Sequence, residues 1–446
     1  MTAKRNMMHG SAIALSLILC HLCPATAQKP WSLRDCCDYA VAHNISVKQR
    51  QVAVEKQSLV LSTARNSRLP DLNGSIGENL SFGRGLTADN VYTNKNTSNT
   101  SFSLQTTVPL FTGFQIPENI RLSRLNLEAV TQDLEKAKND IRMQVAQAYV
   151  QILYDKEMAA VAHRQVSIDS MQVVRLEAFF HNGKASEAEV ARQRATMAAS
   201  QTTATQADNR LRLGLLTLSQ LLELPSPEGF DVVVPTLAER QYGILPHPDA
   251  IYAEALACKP EIQSQELRLR GADHSINIAR AGHYPKLNFN AGLGTNYYKT
   301  SGVEASNFGE QLKNNFSQFV GISLNVPIFN RFSVRNNIRS AKADKDNQQL
   351  ALDNAKKTLY KEIQQVYYNA LNADAKEQSS QQAQVSSHTA FELTKAKYEN
   401  GKATLTEFNE AKNTWLKAES DLVQARYENL YQHALIDFYR GRELTF

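Results

Sequence analysis

The sequence predicts a mainly α-helical chain that also supplies strands to a membrane β-barrel. Two stretches, residues 118–182 and 331–400, contain neither proline nor glycine and carry apolar residues at heptad spacing. Four shorter segments alternate apolar residues with small or polar ones. Three short motifs occur twice in the same order, 215 to 218 positions apart. Together these observations predict a duplicated unit of helix, strand, strand, long helix and helix.

The first 27 residues are typical of an export signal. Two basic residues precede an apolar run at 12–22, and residues 25–27 have the small-x-small pattern of a cleavage site. We expect residues 1–27 to be removed and the mature chain to leave the cytoplasm. Cys20 and Cys23 leave a lipid anchor open as an alternative, although each follows a leucine where a small residue is expected.

The composition limits the classes of function. The formal charge of +5 falls to +3 without the two basic residues of the signal, which is too small to indicate nucleic-acid binding. Cys36, Cys37 and Cys258 are an odd set that describes no disulfide framework, and a bridge from either of the first two to Cys258 stays open. No run of 18 apolar residues follows the signal, so no membrane-spanning helix is predicted.

The two long stretches are predicted to be helices of unusual length. The 65 residues of 118–182 would extend about 98 Å, and the 70 residues of 331–400 about 105 Å. Charged residues are scattered along both, so each helix should bury a narrow apolar stripe and expose the rest to water. Taken alone, such a helix favours a dimeric coiled-coil rod. The duplication and the strands argue for a larger assembly.

The repeated motifs divide the chain into two units. They are LPDLN at 69–73 and YPKLN at 284–288, VPLFTGF at 108–114 and VPIFNRF at 326–332, and NGKAS at 182–186 and NGKAT at 400–404. Three blocks in the same order at a nearly constant spacing indicate duplication. The predicted repeats are residues 28–240 and residues 241–446.

Four segments are predicted to be strands: 70–83, 100–111, 285–299 and 318–329. The alternation is clearest in the third, where Leu287, Phe289, Ala291, Leu293 and Tyr297 would share one face, opposite Asn288, Asn290, Gly292, Gly294 and Asn296. Strands of about ten residues with this pattern are typical of outer-membrane barrels. A half-buried soluble sheet is the alternative.

Four strands are too few to close a transmembrane barrel. The smallest such barrels have about eight strands, and an open sheet edge in lipid would leave backbone groups without hydrogen bonds. The barrel must therefore be shared between chains. Two copies would give about eight strands and a filled interior, whereas three would give about twelve and room for a channel.

The duplicated motifs resemble those of the TolC family of outer-membrane efflux proteins, over nearly the whole mature chain. The resemblance implies a homotrimer whose 12-stranded barrel contacts lipid in the outer membrane of a Gram-negative bacterium and continues into a long periplasmic α-helical barrel. It also implies an exit duct of a tripartite efflux pump or a type I secretion system. The implied partners are a periplasmic adaptor and an inner-membrane RND, ABC or MFS transporter, with no cofactor, metal or nucleic acid.

The turns that follow the two long helices are candidate docking sites. Gly183 and Gly401 stand where a left-handed C-cap is expected, and Lys184 and Lys402 follow beside the last helical carbonyls. The resemblance places these turns at the periplasmic mouth, in the grooves that receive the helical hairpin of the adaptor. It therefore implies that these four residues contribute to adaptor docking.

Acidic residues after the turns are candidates for the selectivity of the mouth. The resemblance implies that Glu407 and Glu410, with Glu189 as the first-repeat counterpart, face the lumen as negative rings that favour cations. The i, i+3 spacing of Glu407 and Glu410 places both on one helix face. The residues also fit a capping box, because Ser186 and Thr404 precede Glu189 and Glu407 by three positions.

Tyr398 is the candidate gate residue. It stands three positions before Gly401, as does a tyrosine in the family. The best-known member has an arginine two positions after that glycine, where this chain has Ala403. A lock through that arginine is therefore not expected, and we expect Tyr398 and side-chain packing to set the opening of the mouth.

Other classes of protein fit the sequence less well. No P-loop, zincin or G-x-S-x-G pattern is present and the ten histidines are scattered, so no enzyme is predicted. A periplasmic coiled-coil adaptor would carry one helical hairpin between β-rich domains, and this chain repeats its helical unit with a strand pair in each copy. A structural stalk would have no use for alternating strands. The adaptor and the stalk remain the alternatives to a channel.

Overall fold

The computed structural model describes residues 30–86, 90–94, 96–235, 243 and 245–445. The predicted export signal, with its two cysteines, lies outside the described residues. So does the predicted boundary between the repeats at residues 240 and 241.

In the described part of the chain, the two halves follow a similar order of elements. The first half contains α1 (Leu33–His43), α2 (Ile45–Asn66), β1 (Asn73–Ser81), β2 (Arg84–Leu86), β3 (Tyr92–Asn94), β4 (Thr97–Phe111), α3 (Gln115–His181) and α4 (Glu187–Leu221). The second half contains α5 (Pro248–Cys258), α6 (Pro260–Arg280), β5 (Lys286–Thr300), α7 (Phe308–Asn314), β6 (Ser317–Asn325), α8 (Ser333–Glu399) and α9 (Leu405–Tyr439).

The helices α3 and α8 are the longest elements. Each has 67 residues, which corresponds to about 100 Å. Relative to the predicted 118–182, α3 begins three residues earlier and includes Pro117, because amides of a first helical turn need no partner within the helix. Each long helix packs against the one that follows it, so α3 with α4 and α8 with α9 form two helical hairpins. No helix of the described residues has the length and apolarity needed to cross a membrane.

The main core lies where α1 and α2 pack on the middle of α3, and the last part of α9, which also packs on α3, belongs to it. Val145, Ile152 and Tyr427 are buried there. Cys36 and Cys37 belong to the same core, and burial raises the pKa of both thiols to about 12, so they stay protonated. These two cysteines and Cys258 are all free in the described chain, so the bridge that the sequence left open is not formed.

The four longer strands form one antiparallel sheet in the order β1-β4-β5-β6. The inner strands β4 and β5 have 15 residues each, and the outer strands β1 and β6 have nine. Among the described residues, each outer strand pairs with another strand on one side only. The outer strands are shorter than the predicted 70–83 and 318–329, in part because Pro70 and Pro327 have no amide hydrogen to donate to a ladder.

The strand register gives the sheet two faces of opposite character. The apolar face carries most of the large aliphatic and aromatic side chains: Ile76, Leu80, Leu104, Phe289, Leu293, Val320, Ile322 and Leu324. The polar face carries mostly small or amide side chains: Ser75, Gly77, Ser101, Ser103, Asn290, Gly292, Gly294, Gly321 and Ser323. Cross-strand hydrogen bonds join the hydroxyls of Ser75 and Ser103 at 2.7 Å, and the Asn290 amide donates to the Ser323 hydroxyl at 3.0 Å.

The short helix α7 covers the end of β5 that extends beyond β6. The Gln311 side chain accepts from the Tyr298 backbone N–H at 2.9 Å and donates to the Tyr298 carbonyl at 3.1 Å. Asn315 donates to the carbonyl of Asn296 at 2.8 Å. These side chains take the place of a neighbouring strand as hydrogen-bond partners for this part of β5. They thereby cover backbone groups that could otherwise pair with another chain. No sequence pattern predicted this helix.

Gly113, in the turn between β4 and α3, should tolerate no side chain. It has φ +65°, and a Cβ there would lie 2.7 Å from the Ala281 carbonyl oxygen and 2.8 Å from the Tyr284 Cβ. We expect Gly113→Ala to lower the free energy of unfolding by about 2–4 kcal/mol, from left-handed strain and overlap together. Thermal unfolding of the detergent-solubilised protein measures this loss.

The matched control is Gly401→Ala. Gly401 has φ +69° with nothing within 4 Å of a built Cβ, so this variant should lose only the left-handed cost of about 1–2 kcal/mol. Equal losses in the two variants would show that the close approach at Gly113 is unimportant.

Candidate functional site at the helical hairpin turns

Both long helices end in the same tight turn. At the first, the Gly183 N–H donates to the Phe180 carbonyl at 2.9 Å and the Lys184 N–H donates to the Phe179 carbonyl at 2.8 Å. Gly183 has φ +68° and Gly401 has φ +69°, the left-handed geometry of a Schellman C-cap. The second turn repeats the pattern, with Gly401 and Lys402 donating to the carbonyls of Tyr398 and Lys397. Both turns are therefore closed by backbone hydrogen bonds, and their glycines and lysines are exposed.

A complete capping box opens the helix after each turn. At α4, one carboxylate oxygen of Glu189 accepts from the Ser186 N–H at 2.8 Å and from its hydroxyl at 2.9 Å. At α9, Glu407 accepts from the Thr404 N–H at 2.7 Å and from its hydroxyl at 2.9 Å. The hydrogen bonds from the backbone and the hydroxyl lower the pKa of both carboxyl groups. The capping boxes that the sequence suggested are thus confirmed.

Three of the predicted site residues line one groove. Glu407, Glu410 and Lys402 border a cavity of about 400 Å³ between the last turns of α8 and the first turns of α9, together with Lys397. The groove therefore mixes two carboxylates with two ammonium groups. The other predicted residues do not border this groove: Gly401 and Tyr398 lie on the same hairpin outside its lining, and Gly183, Lys184 and Glu189 lie on the other hairpin.

Tyr398 connects the two hairpins. The Gln172 side-chain amide on α3 donates to the Tyr398 hydroxyl at 2.5 Å, and the Arg175 guanidinium stands 5.2 Å from the centre of the tyrosine ring. The ring also packs on Phe408, with 5.1 Å between ring centres. Burial raises the pKa of Tyr398, so the phenol stays protonated. The residues Gln172 and Arg175 carried no sequence signal for this contact, because they lie on a different helix.

A buried ion pair joins the hairpins further from the turns. The Lys412 ammonium on α9 contacts the Asp169 carboxylate on α3, and both side chains are completely buried. Gln193 on α4 donates to the same carboxylate oxygen at 3.3 Å and accepts from Asn409 on α9 at 3.3 Å. The second Asp169 oxygen is buried without a hydrogen-bond partner among the described residues. We call this group of four residues the buried cluster.

The buried cluster belongs to a polar seam between the two hairpins. The seam comprises the buried cluster, the Gln172–Tyr398 hydrogen bond and an ion pair between Arg164 and Glu419. A buried ion pair adds little net stability, because desolvation of both charges offsets their attraction. It does penalise every arrangement in which either partner is left alone. The seam therefore favours one register between the hairpins.

The turns carry groups suited to binding another protein or an ion through surface contact and charge. Within the part of the chain that the structure describes, no group of three histidine, cysteine, aspartate or glutamate residues is placed to hold a metal ion. The turns present exposed backbone flanked by lysines. Beside the second turn lies the groove that is bordered by two carboxylates, Glu407 and Glu410.

The fold, with its two 100 Å helical hairpins joined to a four-stranded sheet, is that of outer-membrane efflux channels. The structure aligns with the Campylobacter jejuni CmeC outer membrane channel at a TM-score of 0.76 and 18% identity, covering 93% of this chain and 87% of that one. The model of the outer membrane efflux protein family matches residues 37–223 and again residues 251–439. The chain belongs to this family, whose members are transport proteins of the outer membrane and not enzymes.

Curated relatives agree with this assignment. The pyoverdine export outer membrane protein OpmQ of Pseudomonas aeruginosa is 26% identical over 382 residues, which cover 81% of this chain and 75% of the relative. The protein of the same name from Pseudomonas putida is 26% identical over 321 residues, which cover 71% of this chain and 64% of the relative. The chain thus spans about two thirds to three quarters of the length of these relatives.

The buried ion pair yields a stability prediction. We expect Lys412→Met to lower the free energy of unfolding by about 3–5 kcal/mol, because it leaves the Asp169 charge buried without its partner. The double variant Asp169→Leu, Lys412→Met removes both charges and should recover most of this loss. Thermal unfolding of the purified variants measures both the loss and its recovery.

Lys136→Met is the matched control, because Lys136 pairs with Asp140 on the surface of α3 at 2.6 Å. An exposed pair of this kind contributes about 1 kcal/mol or less. A Lys412→Met variant as stable as this control would contradict the role given to the buried cluster.

Proposed function

We propose that three copies of this chain form a passive exit duct, in which a 12-stranded β-barrel crosses the outer membrane and continues into a long periplasmic α-helical barrel. The observation that carries the proposal is the four-stranded sheet with two unpaired edges and two faces of opposite polarity. Proteins of this family are trimeric and work with adaptors and inner-membrane transporters.

The sheet supports a shared barrel in two ways. The unpaired edges of β1 and β6 are equal in length at nine residues, so β6 of one copy can pair with β1 of the next. Three copies then close a ring that leaves no edge in lipid, where an unpaired backbone group costs several kcal/mol. The apolar face suits lipid contact, and the polar face suits a water-filled interior.

The helices support a barrel that continues from the sheet. α3 begins at Gln115, after β4 ends at Phe111, and α8 begins at Ser333, after β6 ends at Asn325. Each then runs about 100 Å to its turn. Several large apolar side chains on the helices are exposed in a single copy, among them Leu59, Leu213, Leu350 and Leu393. Exposed apolar side chains in these numbers favour contacts with neighbouring copies. The duplicated unit gives each copy two similar hairpins for such a wall.

The turns are the proposed docking site of a periplasmic adaptor. Gly183, Lys184, Gly401 and Lys402 present exposed backbone and positive charge at one end of the hairpins, and nothing within 4 Å crowds either glycine. Through the adaptor, the duct would connect to an inner-membrane transporter of the RND, ABC or MFS class. The OpmQ relatives are named for pyoverdine export, which favours a tripartite efflux pump over the second candidate, type I secretion.

The mouth of the duct is the proposed gate. Tyr398 ties the end of α8 to α3 through Gln172, so its hydroxyl would stabilise one position of the second hairpin relative to the first. Glu410 is exposed, and Glu407 binds its cap with one oxygen only. Three copies of Glu407, Glu410 and Glu189 would thus give negative rings that favour cations.

Planar bilayer recordings test the duct and its mouth together. We expect the purified wild-type protein to form channels that prefer K⁺ over Cl⁻. In the double variant Glu407→Gln, Glu410→Gln the preference should fall towards equal permeability, because six negative charges leave the mouth of a trimer. Glutamine can still accept the capping hydrogen bonds, so the start of α9 should persist.

Glu55→Gln serves as the control, since Glu55 lies on α2, which packs near the middle of α3. It should leave the selectivity of the channel unchanged. A wild-type protein that never conducts would refute the duct. A double variant with wild-type selectivity would refute the charged rings alone.

A further inference from the structure

Phe319 breaks the pattern of the polar face. The register pairs Phe319 on β6 with Gly292 on β5, which places the aromatic ring among serine, glycine and asparagine side chains. The polar face of the sheet carries one other aromatic residue, Tyr298, near the far end of β5. In a barrel whose polar face lines the interior, Phe319 would be a large apolar side chain exposed to water.

The polar face of the sheet leaves room for the Phe319 ring at Gly292. A Cβ on Gly292 would lie 2.5 Å from Cε1 and 2.8 Å from Cζ of Phe319, so the ring leans across the glycine where any other residue would displace it. Phe319 nevertheless remains 51% exposed. The ring is therefore held in place along one side while a large part of its surface stays open.

Many polar side chains of the polar face form hydrogen bonds with one another. Ser75 pairs with Ser103, Asn290 donates to Ser323, and Asn296 donates to the Asn99 side-chain oxygen at 2.9 Å. A passing molecule that competes for these groups must break hydrogen bonds already formed. The exposed surface of the Phe319 ring forms no hydrogen bonds, so a molecule that stacks on it has none to break there.

We propose that Phe319 is a stacking site for planar aromatic molecules inside the barrel. The proposal rests on the proposed function, because only a closed barrel brings three Phe319 rings around one lumen at the same height. An aromatic cargo leaving the duct would stack on a ring and exclude water from both surfaces. Non-planar molecules of similar size and charge would touch the ring over a smaller area. The duct thus retards aromatic cargo selectively.

The test uses two monovalent organic cations, planar ethidium and non-planar tetrabutylammonium, added at the extracellular side of single channels in planar bilayers. Probes added there reach the barrel before the periplasmic mouth. We expect ethidium to block the wild-type channel at lower concentration than tetrabutylammonium. Phe319→Leu should raise the half-blocking concentration of ethidium roughly fivefold or more, the loss expected when one aromatic stacking partner is removed.

Three comparisons separate stacking from a structural role. Phe319→Leu keeps an apolar cover over Gly292 and should leave block by tetrabutylammonium and the open-channel conductance unchanged. Phe319→Tyr keeps the ring and should retain the wild-type response to ethidium. Val320→Leu alters the neighbouring residue on the apolar face and should also retain it.

The outcomes distinguish this site from the duct itself. Equal block by the two probes in the wild type, or an unchanged response to ethidium in Phe319→Leu, would overturn the stacking site and leave the channel intact. A protein that forms no conducting assembly would remove the duct, and the stacking site with it.

Discussion

The backbone groups along the outer edges of β1 and β6 impose the constraint on which the rest of the structure depends. A four-stranded sheet with an apolar face cannot stand in lipid with both edges unpaired. In the proposed assembly, association with identical copies would satisfy these edges without any further element. The edge of β5 that extends beyond β6 has a different partner. There the Gln311 and Asn315 side chains of α7 form hydrogen bonds with the backbone of β5.

The long helices transmit the geometry of the sheet to the turns. Because α3 and α8 are unbroken over 67 residues, the position of each strand end determines the position of a turn about 100 Å away. The seam between the hairpins then fixes how the two turns of one copy lie relative to each other. The buried charges of Asp169 and Lys412 favour one register, and the Tyr398–Gln172 hydrogen bond, which is only partly buried, lies nearer the turns.

Patterns of neighbouring residues in the sequence predicted the long helices, the strands and the capping boxes, because each of these forms through interactions between nearby residues. The absence of proline and glycine over 118–182 and 331–400 indicates α3 and α8, alternation indicates the strands, and the spacing from Thr404 to Glu407 indicates the capping box. Contacts between distant helices left no such signal. Lys412 and Asp169 are 243 positions apart, and each looks like an ordinary charge on a solvated helix. Phe319 is unremarkable until the register pairs it with Gly292.

The mass of the assembled particle tests the shared barrel most directly. Native mass spectrometry of the protein released from a mild detergent should give one species with three times the mass of the mature chain, because three four-stranded sheets close the ring. A stable particle containing a single chain, soluble without detergent, would contradict the account, since its sheet edges would then need no partner.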